Sequence, residues 1–331
     1  MNVITEKTPV EQHGEHGKHG KHRKLTTGKQ APGKLPAGKP ASGRLSPKDT
    51  VQSYLMITFS VIGLVVFVIL PLLWVMRYCL FSYKGFGDIS FVGLKNFVRV
   101  FTNSPKYWLA VRNTFVFTFG KLLVEIPLAL ILAFLLTSKL RAVNFFRTVY
   151  FMPSMFSVAV IGVIFFFLFS SYNGVVNAVI KLFGGAGLKW FADGTHAMLV
   201  LMIASIWQNF GLNMLFFMTG LQSIPTDLYE AASIDGAGSL QKLRYITLPR
   251  MVPSIIINLL LNMSSGLKTF DLVYVITNGG PNGASELINT MVFKQYGQKL
   301  YGMSAAYGVI VFLITAFFGV LILRIRDDAD S

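Results

Sequence analysis

The chain has little cysteine, little acid and, beyond its first 22 residues, almost no histidine. Cys79 is the single cysteine among 331 residues, so no intrachain disulfide and no cysteine-rich metal site can form. His196 is the one histidine outside the N-terminal region. No nucleophile–base pair and no ligand cluster stands out, so neither catalysis nor metal binding is expected of this chain. Charged residues are 14% of the total, against about 25% in an ordinary soluble protein. The body is poorer still, because residues 1–50 hold ten of the 30 Lys/Arg and four of the 15 Asp/Glu. A nucleotide-binding loop is missing too. Gly33-Lys34-Leu35-Pro36-Ala37-Gly38-Lys39-Pro40 follows the G-x4-G-K pattern, but Pro40 stands where a hydroxyl should hold magnesium. With no predicted strand before it or helix after it, the chain is expected to bind no cofactor of its own.

What remains is apolar: 53% hydrophobic residues, including 29 Phe. The net charge of +15 does not indicate nucleic acid. Six of those charges lie in the first 50 residues, and most of the others flank apolar runs, as lysine and arginine do at membrane surfaces. The expected surroundings are lipid.

Residues 1–50 are rich in Gly, Pro, Lys and His and have almost nothing to bury, so they read as a disordered basic tail. Four histidines recur at intervals of three from His13 to His22. The interleaved glycines remove any helical scaffold that would align the rings on a metal. Residues 51–331 form the second zone. Six segments there are long enough to cross ~30 Å of hydrocarbon: 54–76, 113–137, 148–170, 197–219, 252–276 and 302–324. All must be helices, since lipid offers the backbone no other partners. The expected class is therefore an all-α integral membrane protein with six transmembrane helices.

Basic residues give the orientation. With the N-terminus inside, the inner segments carry eighteen Lys/Arg: ten in the tail, then Lys139, Arg141, Arg147, Lys242, Arg244, Arg250, Arg324 and Arg326. The outer segments carry ten, six of them in the first loop: Arg77, Lys84, Lys95, Arg99, Lys106 and Arg112. The asymmetry predicts N-in, C-in. Within the first outer loop, residues 91–101 mix apolar and basic residues and read as an amphipathic piece at the interface.

The polar insert at about 222–250 is the most informative stretch. Pro225 and Asp227 suit a helix N-terminus, and a first helix is predicted from Pro225 to Asp235. Leu228, Ala231, Ala232 and Asp235 fall at three- and four-residue spacing, with the small alanines leaving room for another surface. Gly236 permits a turn. Ser239 is predicted to cap a second helix that ends near Leu248, before Pro249 and Pro253. Such an insert can either pack under its own bundle or dock on something outside the membrane.

The spacing Glu230-Ala231-Ala232, three residues, Gly236, nine residues, Ile246-Thr247-Leu248-Pro249 resembles the EAA loop of bacterial ABC importer permeases at all seven fixed positions. Phe91 to Phe97, Asn113-Thr114, Ile224-Pro225, Asp235-Gly236-Ala237 and Thr277-Asn278-Gly279-Gly280-Pro281 are similar to motifs of carbohydrate-import permeases of the maltose and oligosaccharide type. The last is similar to the motif of the first permease in heterodimeric pairs. The chain has no room for the extra spans and outer domain of the maltose system's larger permease, and so resembles the compact six-span relatives.

That resemblance implies a multi-pass protein of the bacterial plasma membrane with four kinds of partner: a second permease, two ATP-binding subunits holding ATP and magnesium, an extracytoplasmic solute-binding protein, and the sugar. It implies that Glu230 faces a basic ATPase residue, that Ala231 and Ala232 make the close contact, and that Gly236 sets the elbow. Asp235, Leu248 and Pro249 complete the coupling loop.

Polar residues at membrane depth are candidate pathway residues. Span four offers Trp207, Gln208, Asn209 and Asn213; span five offers Asn258, Asn262, Ser264 and Ser265, then Lys268 and Asp271. Trp207, Asn213 and Asn262 have the chemistry of a sugar site, and all of these residue types also serve as interhelical hydrogen bonders. Lys121 and Glu125 can pair along span two, and Lys268 and Asp271 along span five. Ser264-Ser265-Gly266 can interrupt span five. Two other readings stay open: an importer of another solute such as glycerol phosphate, and a self-sufficient secondary transporter. The second leaves the loop spacing without a purpose.

Overall fold

A computed structural model describes residues 47–330 except 86, 103–104 and 138–141. The histidine run and the phosphate-loop-like stretch fall at residues 1–46, outside the described residues. By contacts the chain divides into units 1–59 and 60–331. The described part of the first unit is a stretch of helix.

Helix α1 (Pro47–Leu64) leads through a π turn (Val65–Ile69) into α2 (Leu70–Arg77). Strands β1 (Phe81–Ser82) and β2 (Ser90–Phe91) form a short antiparallel ribbon, followed by α3 (Lys95–Thr102). Then come α4 (Pro105–Thr137), α5 (Val143–Phe151), α6 (Val158–Leu168), α7 (Val175–Leu182) and α8 (Gly194–Gln222). The polar insert holds α9 (Thr226–Ile234) and α10 (Ser239–Lys242), joined by a second π turn (Leu243–Thr247) to α11 (Leu248–Leu267). The chain ends with α12 (Asp271–Ile276), α13 (Ile288–Gly297) and α14 (Tyr301–Asp330).

Among the described residues, five stretches are long and apolar enough to span: Gln52–Leu80, Lys106–Thr137, Gly194–Gln222, Ser239–Leu267 and Tyr301–Ile325. The third expected span is instead a bent pair, Val143–Met155 and Val158–Leu168, at 97° to each other. Pro153 lies in a 3-10 turn, and Phe156 and Ser157 after it are extended. Ser157 then caps α6 through its hydroxyl, which accepts from Val160 N at 3.3 Å. Gln208 donates to the Phe156 carbonyl at 3.2 Å, which the break has left without a helical partner.

Span five also departs from expectation. The second helix of the insert does not stop at Leu248 but runs on to Leu267. In the π turn the Leu248 N–H bonds the Leu243 carbonyl, five residues back, directly before Pro249. The register slip falls where the proline withdraws a donor, so the helix passes the proline without ending. The first span repeats the device: a π turn, then Leu70-Pro71, with the Leu70 N–H on the Val65 carbonyl. Ser239 is not the cap either. Gly238 is, and its N–H donates to the Gln241 side chain at 2.8 Å. At the other end the span stops at Leu267 rather than 276. The end falls directly after Ser264-Ser265-Gly266, and a side chain at Gly266 would meet Thr118 at 2.8 Å, so this glycine also lets α11 approach α4.

The α4–α8 pairing is the main contact of the bundle, and α11 and α14 close it. Phe117, Ile161, Phe165, Leu201, Val273 and Ile276 belong to one buried cluster; Ala129, Ala133, Met214, Phe217 and Met251 belong to another. Gly211 is buried where α8 crosses the end of α5, and any side chain there would run into the Tyr150 carbonyl. The amphipathic segment expected at 91–101 is helical only from Lys95. It is pinned by the buried Asn96, which donates to the Cys79 and Phe81 carbonyls at 2.8 and 2.9 Å.

Candidate functional site

Three polar constructions stand out against this apolar bundle. The first is the insert. α9 ends in a Schellman turn: the Ala237 N–H returns to the Ala232 carbonyl at 2.8 Å and the Gly236 N–H to that of Ser233 at 3.2 Å. Gly236 has φ +78°, the left-handed value that favours glycine. Lys242 closes the elbow from the far side by donating to Ser233 Oγ at 2.6 Å. Leu228, Tyr229 and Ile246 pack against the membrane-domain core, and Tyr229 bonds Thr247 at 3.0 Å. The outer side carries exposed Glu230, Ala231 and Asp235 together with Ile234 (87% exposed), Leu240 (76%) and Tyr245 (71%). Ala232, Asp235 and Gly236 line a hollow of about 330 Å³ with Gln241 and Tyr245. Leu248 and Pro249 lie beyond the elbow, at the start of α11.

The second construction is a polar cavity of about 290 Å³ between α8 and the break after α11. Gln208, Asn209, Ser265 and Asp271 all line it, joined by Ser205, Lys268, Thr269 and Phe270. Lys268 and Asp271, expected to pair along one helix, form no ion pair among the described residues. They stand on either side of the helix break, where three-residue helical geometry no longer applies. Asn289 braces the break by donating to the Lys268 carbonyl at 2.7 Å.

The other three pathway candidates are elsewhere. Trp207 leans on Phe165 at 5.6 Å. Asn213 and Asn262 are buried behind the cavity as a reciprocal amide pair, with N–H···O distances of 3.2 and 2.9 Å. Asn262 also donates to the Asn258 side chain at 2.6 Å, and Asn213 donates to Glu125. Glu125 in turn lies 3.7 Å from Lys121. The Lys121–Glu125 pairing follows from its four-residue spacing in the sequence. That the pair joins the amides does not, because it depends on the rotation of three helices.

The third construction is a clamp at the end of the bundle opposite the insert. Asn113 donates to the Gly283, Ala284 and Glu286 carbonyls at 3.2, 2.9 and 3.1 Å, and Thr114 Oγ1 accepts from Ile288 N at 3.0 Å. Lys294 meets Glu286 at 2.6 Å and the Asn278 carbonyl at 2.9 Å. Gly279 passes so close to that pair that a side chain would strike Glu286 Oε2 at 2.6 Å. Two motifs distant in sequence, Asn113-Thr114 and Thr277 to Pro281, thus belong to one joint.

Residues 125–327 match the family described as binding-protein-dependent transport system inner membrane component, and the chain belongs to that family. It is 29% identical over 285 residues to the trehalose/maltose transport system permease protein MalF of Thermococcus litoralis, covering 86% of this chain and 96% of that one. It is 32% identical over 245 residues to the arabinooligosaccharides transport system permease protein AraP of Bacillus subtilis, covering 72% and 77%. It is 33% identical over 274 residues to the sn-glycerol-3-phosphate transport system permease protein UgpA of Agrobacterium fabrum, covering 80% and 91%. The fold resembles a chain in the crystal structure of a bacterial ABC transporter that imports alginate, with a TM-score of 0.72, 22% identity and coverage of 84% and 97%.

Proposed function

We propose that this chain is the permease subunit of an ATP-driven, binding-protein-dependent importer, that it forms half of the translocation pathway for a sugar or oligosaccharide, and that it couples to a separate ATPase through the elbow at 222–250. The observation that carries the reading is the two-faced elbow. Its inner side is bolted to the core by Leu228, Tyr229 and Ile246. Its outer side exposes Ile234, Leu240 and Tyr245 around an acidic Glu230. Large apolar side chains on a polar insert suit burial against a partner. In this reading the N- and C-termini and the elbow are cytoplasmic, and the clamp around Pro281 faces the binding protein. The cavity lined by Gln208, Asn209, Ser265 and Asp271 is the substrate pathway. ATP and magnesium belong to the partner, and this chain transports without catalysing.

The sugar assignment follows the permeases for trehalose/maltose and arabinooligosaccharides among its relatives. A second reading, a solute with a phosphate group, is favoured by Lys268 in the cavity and by the glycerol-phosphate relative. Asp271 on the same wall weighs against an anion.

The test is a mild-detergent pull-down of the chain from its native membrane, with partners identified by mass spectrometry. We expect an ATPase, a second permease and a binding protein; the binding protein is then screened against sugars and glycerol phosphate. Recovery of the folded chain alone would point to a free-standing transporter and overturn the reading.

A further inference from the structure

A second layer of polar residues lies behind the cavity, and nothing in the coupling or the clamp uses it. Lys121 and Glu125 are 1% and 0% exposed, on the inner face of α4. Two charges in the centre of a membrane bundle are costly unless each is fully partnered. Here their further partners sit on other helices. Lys121 Nζ reaches Ser205 Oγ on α8 at 3.5 Å. Ser205 lines the cavity, and its carbonyl accepts from Asn209 at 2.8 Å. Glu125 accepts from Asn213 on α8, which pairs with Asn262 on α11. Asn262 is one turn before Ser265 on the opposite cavity wall. The pair is therefore connected, through one or two hydrogen bonds, to both walls of the cavity.

We propose that Lys121 and Glu125 form a buried strut that sets the distance between the α8 and α11 walls of the cavity, acting as positioning residues that do not touch the substrate. The strut is anisotropic. Glu125 fixes the Asn213 amide, which itself ties α8 to α11 through Asn262, while Lys121 holds the Ser205 turn alone. Glu125 Oε2, the oxygen 3.7 Å from Lys121 Nζ, makes no hydrogen bond among the described residues, so the ion pair with Lys121 is its compensation. The proposal rests on reading the cavity as pathway only for its functional meaning; the geometry it asserts can be measured without transport.

The test places Asn209→Cys and Ser265→Cys together in full-length chain carrying Cys79→Ser, and measures in membranes the rate at which a short bifunctional thiol reagent links the two walls. Glu125→Gln and Lys121→Met, made singly, each leave one charge unpaired in the bundle and are expected to lower membrane abundance about fivefold or more. The double variant Lys121→Met/Glu125→Gln removes both charges and keeps an acceptor for Asn213. It is expected to recover abundance to within about twofold but to cross-link at a rate changed about fivefold or more. Ser205→Ala, which cuts only the Lys121 contact, should shift the same rate with abundance unchanged. Cross-linking at the parent rate in either Ser205→Ala or the double variant would reduce the pair to packing and overturn the proposal. Because neither ATP nor substrate is needed, this outcome is independent of whether the chain imports a sugar.

Discussion

Gly236 and Gly211 are constrained for opposite reasons. A side chain on Gly236 would meet nothing within 4 Å, so only its φ of +78° resists substitution. Gly211 lies in ordinary helix, where the Tyr150 carbonyl occupies the space of a side chain. The difference makes Gly236 a clean test of the elbow. Gly236→Leu costs about 1–2 kcal/mol of left-handed strain, relieved by reshaping a solvated turn rather than by unfolding the core. We expect normal membrane abundance and loss of binding-protein-stimulated ATP hydrolysis in the assembled complex. Gly236→Asn, which tolerates that backbone, should retain most of it. Full coupling in Gly236→Leu would remove the elbow from the mechanism. Much of this is legible in the residues alone, because a turn glycine after a helix announces itself through its neighbours. The partition of the polar span residues is not. In lipid both the outer and the inner face of a helix are apolar, so periodicity does not report rotation. Asn213 and Asn262 could not be told from Asn209 and Ser265.

At the level of elements, proline was the least readable signal. Pro153, Pro249 and Pro71 all interrupt apolar runs, yet of these three only Pro153 accompanies a break. The other two follow π turns that absorb the lost donor, a register change set by local hydrogen bonding rather than by residue type. The bend at Pro153 leaves a carbonyl to be satisfied, and Gln208 does so at 3.2 Å. Gln208→Leu should therefore destabilise the chain by about 0.5–1.5 kcal/mol, the net worth of one part-buried hydrogen bond. A lowered thermal midpoint in detergent is the expected reading. An unchanged midpoint would mean that Phe156 is satisfied by another group, and would leave Gln208 free for substrate.

For the whole molecule, the proposed orientation gives a sidedness prediction. Tyr172 and Tyr245 are 90% and 71% exposed and lie in segments that the six-span plan assigns to opposite sides of the membrane. In a Cys79→Ser background, a membrane-impermeant thiol reagent added to intact cells should label Tyr172→Cys, and label Tyr245→Cys only after the membrane is opened. The reverse pattern would invert the topology and leave the elbow on the wrong side for an ATPase. The apolar spans were legible from hydropathy alone; the direction is the expectation of the basic-residue asymmetry, which this labelling tests.

The uninterrupted helix from Ser239 to Leu267 has a mechanical consequence. Its 29 residues make a rod about 43 Å long, with the elbow at one tip and Ser265 of the cavity wall at the other. Pivoting on its near end, such a rod moves its far tip ~0.7 Å for each degree of tilt. Under the proposed coupling, a push delivered at Leu240 needs no relay of side chains to be felt at the cavity; the backbone would be the lever arm. Its slack joints are the π turn beside Pro249 and Pro253 inside α11, and under the proposed coupling they would set how much of a stroke is lost before it reaches the solute.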